Sequence, residues 1–207
     1  SELKALQSQI NPHFLYNTLD SIIWMAEGRK YEEVVLMTAS LARLLRQSIS
    51  NEDEVVPLAR EVEYAKGYLT IQKMRYKDKL EFEINVEPSI LNIPLIKLVL
   101  QPIIENAIYH GLKYKESKGL LQVKGFMKDG NAVLQVIDNG VGMDEETLAH
   151  IYDKHKVNYH SNGVGVYNVQ KRLQLYYGES YGITYESEKG VGTTATITIP
   201  GMQEESI

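Results

Sequence analysis

The sequence predicts an α+β protein in which an antiparallel helical hairpin precedes a domain of mixed helices and strands. Two long helical periodicities fill the first fifty residues and meet at Gly28-Arg29-Lys30, too short a link for anything but antiparallel neighbours. Beyond residue 80, strand-like and helix-like segments alternate to the end. At the centre of that region lies VLQVIDNGVG, Val133 to Gly142. Apolar residues dominate both alternating sets from Val133 to Asp138, as in a strand with little solvent exposure on either face. A carboxylate closes it, and Gly140 and Gly142 follow at a spacing that lets backbone approach a ligand.

The elements follow in order. Leu3, Leu6, Ile10, Phe14, Leu15, Leu19, Ile22, Ile23 and Ala26 mark a helix over about 3–27. Pro12 either bends it or, with Asn11 as cap, starts a new helix. Tyr31 to Ser50 is the second helix, through Val34, Val35, Met37, Leu41, Leu44, Leu45 and Ile49. One hairpin cannot cover its own apolar stripe, so pairing with a second copy into a four-helix bundle is expected. The acidic run Asn51 to Glu54 is the expected boundary between a region 1–53 and a domain 54–200, with 201–207 as tail. Helices are expected over 57–75, 95–110 (kinked at Pro102, capped by Gly111), 144–152 and 164–177. Strands are expected over 80–86, 120–128, 132–138, 183–187 and 193–199, the second and third joined by a turn at Asp129-Gly130-Asn131.

Composition narrows the function. With 43% hydrophobic and 24% charged residues, 207 residues can fill a core. The net charge of −5 argues against a nucleic-acid groove, and no cysteine is present for disulfide or thiolate chemistry. No apolar run approaches the ~20 residues that span a bilayer. The opening residues read as helix without a start signal, as expected of a piece excised from a longer protein. The five histidines form no H-x-x-x-H or H-E-x-x-H spacing, so a metal-hydrolase reading has no support.

Each remaining signal is weak alone. Glu105 and Asn106 stand together on a helix, with His110 one turn beyond. Asn162-Gly163-Val164-Gly165-Val166 opens a helix, where free N–H groups and the helix dipole favour an anion. It is neither a P-loop nor a dinucleotide fingerprint. Lys189-Gly190-Val191-Gly192-Thr193-Thr194 leads into the last strand. In this order, over residues 57 to 200, the elements resemble the ATP-binding domain shared by sensor histidine kinases, gyrase-type topoisomerases, Hsp90 chaperones and MutL. Gln9 to Leu19, QINPHFLYNTL, looks like the phosphoacceptor segment of the LytS/YesM-type sensor histidine kinases. Val56-Pro57-Leu58 with Glu61, Tyr64, Tyr68, Gln72 and Arg75 matches their linking helix, and Gln101-Pro102 and His110-Gly111 match around Glu105-Asn106-Ala107.

The resemblance implies a two-layer α/β sandwich of the Bergerat type, a mixed sheet packed on helices, and the following roles. Asp138 would accept the adenine amino group, with Gly140 and Gly142 closing backbone over the base and Thr193 or Thr194 supporting it. Asn106 would ligate Mg2+. His110 would contact phosphate or orient the site, and Gly163 and Gly165 would hold phosphates. Asn168 and Arg172 would reach the triphosphate or the lid, with a structural role the alternative for Arg172. His13 would take the phosphoryl group from ATP, with Glu105 orienting it or taking its proton and Asn17 positioning it or a water. A homodimer would then pass the group to a response-regulator aspartate, from the cytoplasmic part of a membrane-anchored receptor. Departures are Tyr109, where the family usually carries a basic residue, and Val166, where leucine is commoner. Lys154, His155 and Lys156 fall in the expected lid, 143–162. Two other classes compete: an ATP-gated clamp or ATPase in which His13 is inert, and a degenerate dimerisation module.

Overall fold

A computed structural model of the chain describes residues 10–49, 54–153 and 165–201. Leu3, Leu6, the basic cluster Lys154 to Lys156, Asn162, Gly163 and the residues after Gly201 therefore lie outside the described residues.

Helix α1 runs Pro12–Glu27. Asn11 is its cap: the side chain accepts from His13 N at 2.9 Å, and Pro12 occupies the first helical position, where its missing N–H costs nothing. Of the two readings of Pro12, the restart is the one adopted. Arg29, at φ 55°, turns the chain into α2, Tyr31–Ile49, which carries Glu32 and Glu33 in its first turn and Arg46 in its last, as the helix dipole favours.

The hairpin is covered in part by its own chain. Strand β1 (Val55–Pro57) leads into α3 (Leu58–Tyr76), which packs against both hairpin helices. The Phe14 ring sits 4.7 Å from that of Tyr68, and Gly67 leaves room for Leu44. Ile10, Phe14, Leu41 and Leu44 thus join one core with Leu58, Tyr68, Leu100 and Ile104. Trp24, 78% exposed, and Ile23, Val35 and Leu36 remain uncovered.

After β2 (Leu80–Val86), strand β3 (Pro94–Ile96) pairs antiparallel with β1. The helix expected from 95 therefore begins later, as α4, Leu100–Asn106. Pro102 falls in its first turn, where no helical acceptor is lost, so no kink is needed. Gly111 is not a cap either, because the helix continues as a π-turn over Ala107–Leu112. Strands β4 (Gly119–Lys128) and β5 (Asn131–Asp138) form a hairpin closed by Asp129 and Gly130, both at positive φ, with Lys128 and Asn131 paired. Asp144 caps α5 (Glu145–Ala149) by accepting from Thr147 N at 2.7 Å. Helix α6 spans Val166–Tyr177, and β6 (Gly182–Glu188) and β7 (Gly192–Pro200) complete the sheet.

The five-stranded sheet has order β2-β4-β5-β7-β6, with β2 and β4 parallel and the other pairs antiparallel. Its inner face presents Leu121, Val123, Leu134, Val136, Ala195, Ile197 and Ile183 to the helices. Fully burying one such aliphatic side chain is worth about 1.5–3 kcal/mol, so this layer rather than helix propensity fixes the α/β sandwich. Among the described residues, no helix is long and apolar enough to cross a membrane.

Candidate nucleotide site

Register places the first functional side chain. Asp138 continues the inward row of Leu134 and Val136, so its carboxylate lies at the end of an apolar row and is only 7% exposed. Burial lifts its pKa to about 6, against the lowering effect of the Gly140 and Thr193 N–H groups. Gly140 N donates to Oδ1 at 2.8 Å.

The chain after β5 has no room for side chains. A Cβ on Gly140 would stand 2.1 Å from the Gly111 carbonyl oxygen, and one on Gly142 would stand 2.0 Å from that of Glu188. Gly142 also needs φ +66°. The π-turn explains the crowding: it turns the Gly111 carbonyl towards Val141 N, which donates to it at 2.9 Å. A Cβ on Gly111 itself would come within 2.8 Å of Asp138 Oδ1, so that glycine serves the site rather than a helix end.

A cavity of about 490 Å³ opens here. Asn106, His110, Asp138, Gly142, Gly165, Asn168 and Thr193 all line it. Seven sequence-predicted residues from four separate segments therefore converge. Ile103, Val136, Met143, Ile151, Tyr185 and Ala195 supply apolar walls. Sequence reading missed these, because only the pairing Val136–Ala195–Tyr185 across three strands puts them on one face.

The two threonines separate. Thr193 pairs with Asp138 on the inner face, and its hydroxyl meets Ser187 Oγ at 2.7 Å, while Ser187 accepts from Met143 N. Thr194 pairs with Ile137 and points to the outer face, away from the cavity. Arg172 does not line the cavity. Its guanidinium donates to the carbonyls of Lys97 and Leu98, which clamps the segment ahead of α4. Glu61, buried on α3, completes that clamp: Oε1 accepts from Val99 N at 2.7 Å and Leu100 N at 3.2 Å. Val99 has no side chain able to cap, so a carboxylate from another helix caps α4. Glu61 stands in the family-like pattern, but no local signal reveals its partner.

His13, Asn17 and Glu105 do not line the cavity. His13 is exposed, with Nδ1 3.0 Å from Asn17 Nδ2 and its ring edge-on to Tyr109 at 6.3 Å. Glu105 is 7% exposed and accepts from Gln101 Nε2 at 3.1 Å, and burial pushes its pKa to about 7. Gly163 lies outside the described residues.

The sequence matches the family described as histidine kinase over residues 1–80. Over residues 92–203 it matches the histidine kinase-, DNA gyrase B- and HSP90-like ATPase family. It is 37% identical over 204 residues to the sensor histidine kinase YesM of Bacillus subtilis, covering 99% of this chain and 34% of that one. It is 33% identical over 184 residues to the sensor protein LytS of Oceanobacillus iheyensis, covering 86% and 31%. The histidine kinase domain of the Erythrobacter litoralis EL346 blue-light activated histidine kinase shares the fold: TM-score 0.52 at 17% identity, covering 96% of this chain and 93% of that one. The chain spans about a third of the length of the curated relatives it matches.

Proposed function

This chain belongs to the histidine kinase family, and from that we propose that it transfers the γ-phosphoryl group of ATP to His13 and then to an aspartate on a response-regulator receiver domain. One observation carries the reading over a plain ATPase: an exposed histidine rests against the same helical element whose other flank gives Asn106 and His110 to the cavity.

The residues divide the work. Asp138 accepts the adenine amino group, and the apolar walls hold the ring. Gly165, at the N-terminus of α6, and Asn168 face the phosphates, where free N–H groups and the helix dipole favour negative charge. His110 faces the same cavity and orients the phosphate end. Asn106 would hold Mg2+ on its side-chain oxygen. The donor set fits that ion: a half-buried amide oxygen on the wall and, among the described residues, no cluster of three acidic, His or Cys side chains to cage it, as for a cation shared with phosphates. When bound, the ion supplies charge neutralisation for the triphosphate. Asn17 positions the His13 ring, and Glu105, half-ionised near neutrality, takes the ring's proton.

The test is incubation with γ-labelled ATP. The parent is expected to acquire label that survives alkali and is lost in acid, only with magnesium present. His13→Gln is expected to acquire none. Equal label on both chains would remove His13 from the reaction, and nucleotide binding without any label would favour the ATPase.

A homodimer is part of the proposal. Ile23, Trp24, Val35 and Leu36 leave an apolar face on the hairpin that α3 does not cover. Sedimentation of the chain at micromolar concentration is expected to give the mass of two chains, and a single-chain mass would contradict it. We place the chain on the cytoplasmic side of a membrane-anchored receptor.

A further inference from the structure

We infer that Tyr185 reads the base: its hydroxyl donates to a ring nitrogen of the adenine whose amino group Asp138 accepts. The inference rests on the ATP reading above and deepens it, by naming a second polar group that recognises the base.

Strand register sets the two side chains across one floor. Tyr185 stands opposite Ala195 and Ala195 opposite Val136, and Asp138 is the next inward residue of β5 after Val136. All four line the cavity. Only β7 separates β5 from β6, so the two strands are two sheet spacings apart, about 9–10 Å. The small Ala195 side chain leaves the middle of this floor low. A flat base laid over it has the Asp138 carboxylate on one side and Tyr185 on the other.

The Tyr185 hydroxyl is a group the fold does not use. It is buried, and among the described residues it has no hydrogen-bond partner. Its neighbours are engaged elsewhere. Tyr152, whose ring lies edge-on to that of Tyr185 at 6.1 Å, donates its own hydroxyl to Ile183 O at 2.6 Å. Ile183 N in turn donates to Gln170 Oε1 at 2.6 Å. Ser187 Oγ reaches Gly192 O at 3.0 Å and Thr193 Oγ1 at 2.7 Å. A buried hydroxyl left unpaired is a cost that phenylalanine would avoid while filling the same space. A ligand that supplies the acceptor removes that cost only when it binds, and so gains affinity from it.

The chemistry is complementary. Burial, and after it Tyr152 and Asp138, holds the hydroxyl above its usual pKa, so it stays protonated and donates. The adenine ring nitrogens on either side of the amino group accept, whereas the amino group itself donates to Asp138. The Tyr185 ring is half-buried against the cavity with its tip buried, so a small turn of the side chain brings the hydroxyl to the base. That turn breaks no hydrogen bond of the hydroxyl among the described residues.

The test is calorimetric titration of the parent and Tyr185→Phe with ADP and with two ADP analogues, each carrying carbon in place of one of those two ring nitrogens. In the parent, one analogue is expected to bind about tenfold more weakly than ADP, the effect of one lost hydrogen bond. In Tyr185→Phe, ADP is expected to weaken about tenfold and to bind within roughly twofold of that analogue. Without nucleotide, Tyr185→Phe is expected to melt at or above the parent. Two analogues that match ADP in the parent would overturn the inference, as would an analogue penalty that survives unchanged in Tyr185→Phe; both leave the ATP reading standing. A variant that melts below the parent, or does not fold, would show that the hydroxyl already has a partner in the protein and would also overturn it. A parent that binds neither ADP nor ATP would overturn both.

Discussion

Asp138→Asn is expected to lose ATP affinity by on the order of 100-fold or more while the empty protein becomes more stable. Charge-assisted hydrogen bonds are worth about 1.5–3 kcal/mol, and a mismatched donor adds to the loss. Asp138 Oδ1 already accepts from Gly140 N at 2.8 Å. In the variant the one amide oxygen must serve that N–H, which turns the amide NH2 towards the adenine amino group, donor against donor. The fold itself loses little. The carboxylate is 7% exposed and its pKa stands at about 6 rather than 3.8, so burial disfavours its ionised form.

The direction with pH follows from proton binding. Between about 4 and 6 the folded protein binds more protons at this site than the unfolded chain, so its contribution to stability is present below 3.8 and is lost as pH rises through 6. The advantage of Asp138→Asn in thermal melting is therefore expected at pH 8 and should vanish near pH 4. Calorimetric titration with ATP at pH 8 checks the other half. Equal affinity in parent and variant would take the adenine role away from Asp138. ATP affinity of the parent is also expected to weaken as pH falls through 6, where the acceptor is neutralised.

What could be read in advance was local. Asp138, the glycines after it, Asn106 and His110 sit in short stretches whose residue types already suggest their work, and all but Gly140 line the cavity. What could not be read depends on pairing between distant segments. Pro94–Ile96 becomes a strand because Val55–Pro57 lies beside it, so a run that reads as helix from 95 starts five residues late. Thr193 and Thr194 are indistinguishable until the register Asp138–Thr193 assigns one to each face. Arg172 follows the phosphate-like glycines, yet it serves carbonyls more than seventy positions away. The N-terminal hairpin shows the same limit. Its apolar stripe suggested a partner copy, and α3 of the same chain covers part of it.

Gly140→Ala carries a large expected effect on the fold, and Gly165→Ala shows why spacing alone does not predict it. Both glycines belong to Gly-x-Gly pairs that the sequence presents as equivalent. Gly140 owes its identity to space: a Cβ would stand 2.1 Å from the Gly111 oxygen and 2.3 Å from its carbonyl carbon, both backbone atoms that no rotamer change can move. Relief requires parting the end of β5 from the π-turn, which breaks Val141 N to Gly111 O and disturbs Gly140 N to Asp138 Oδ1. Overpacking in tight sites costs about 1–3 kcal/mol, and the two strained bonds place this variant at the top of that range. With about 2–4 °C per kcal/mol for a chain of this size, a fall in melting temperature of roughly 6–12 °C is expected. Gly165 sits at φ −76°, and among the described residues nothing lies within 4 Å of its Cβ position. Gly165→Ala is therefore expected to melt with the parent and, on the proposed reading, to lose ATP affinity only, because the added methyl would occupy the ground over which phosphates would approach the α6 N-terminus. Equal melting temperatures for Gly140→Ala and the parent would mean that the π-turn yields more easily than its packing implies. A destabilised Gly165→Ala would mean that the start of α6 is held by more than its own backbone.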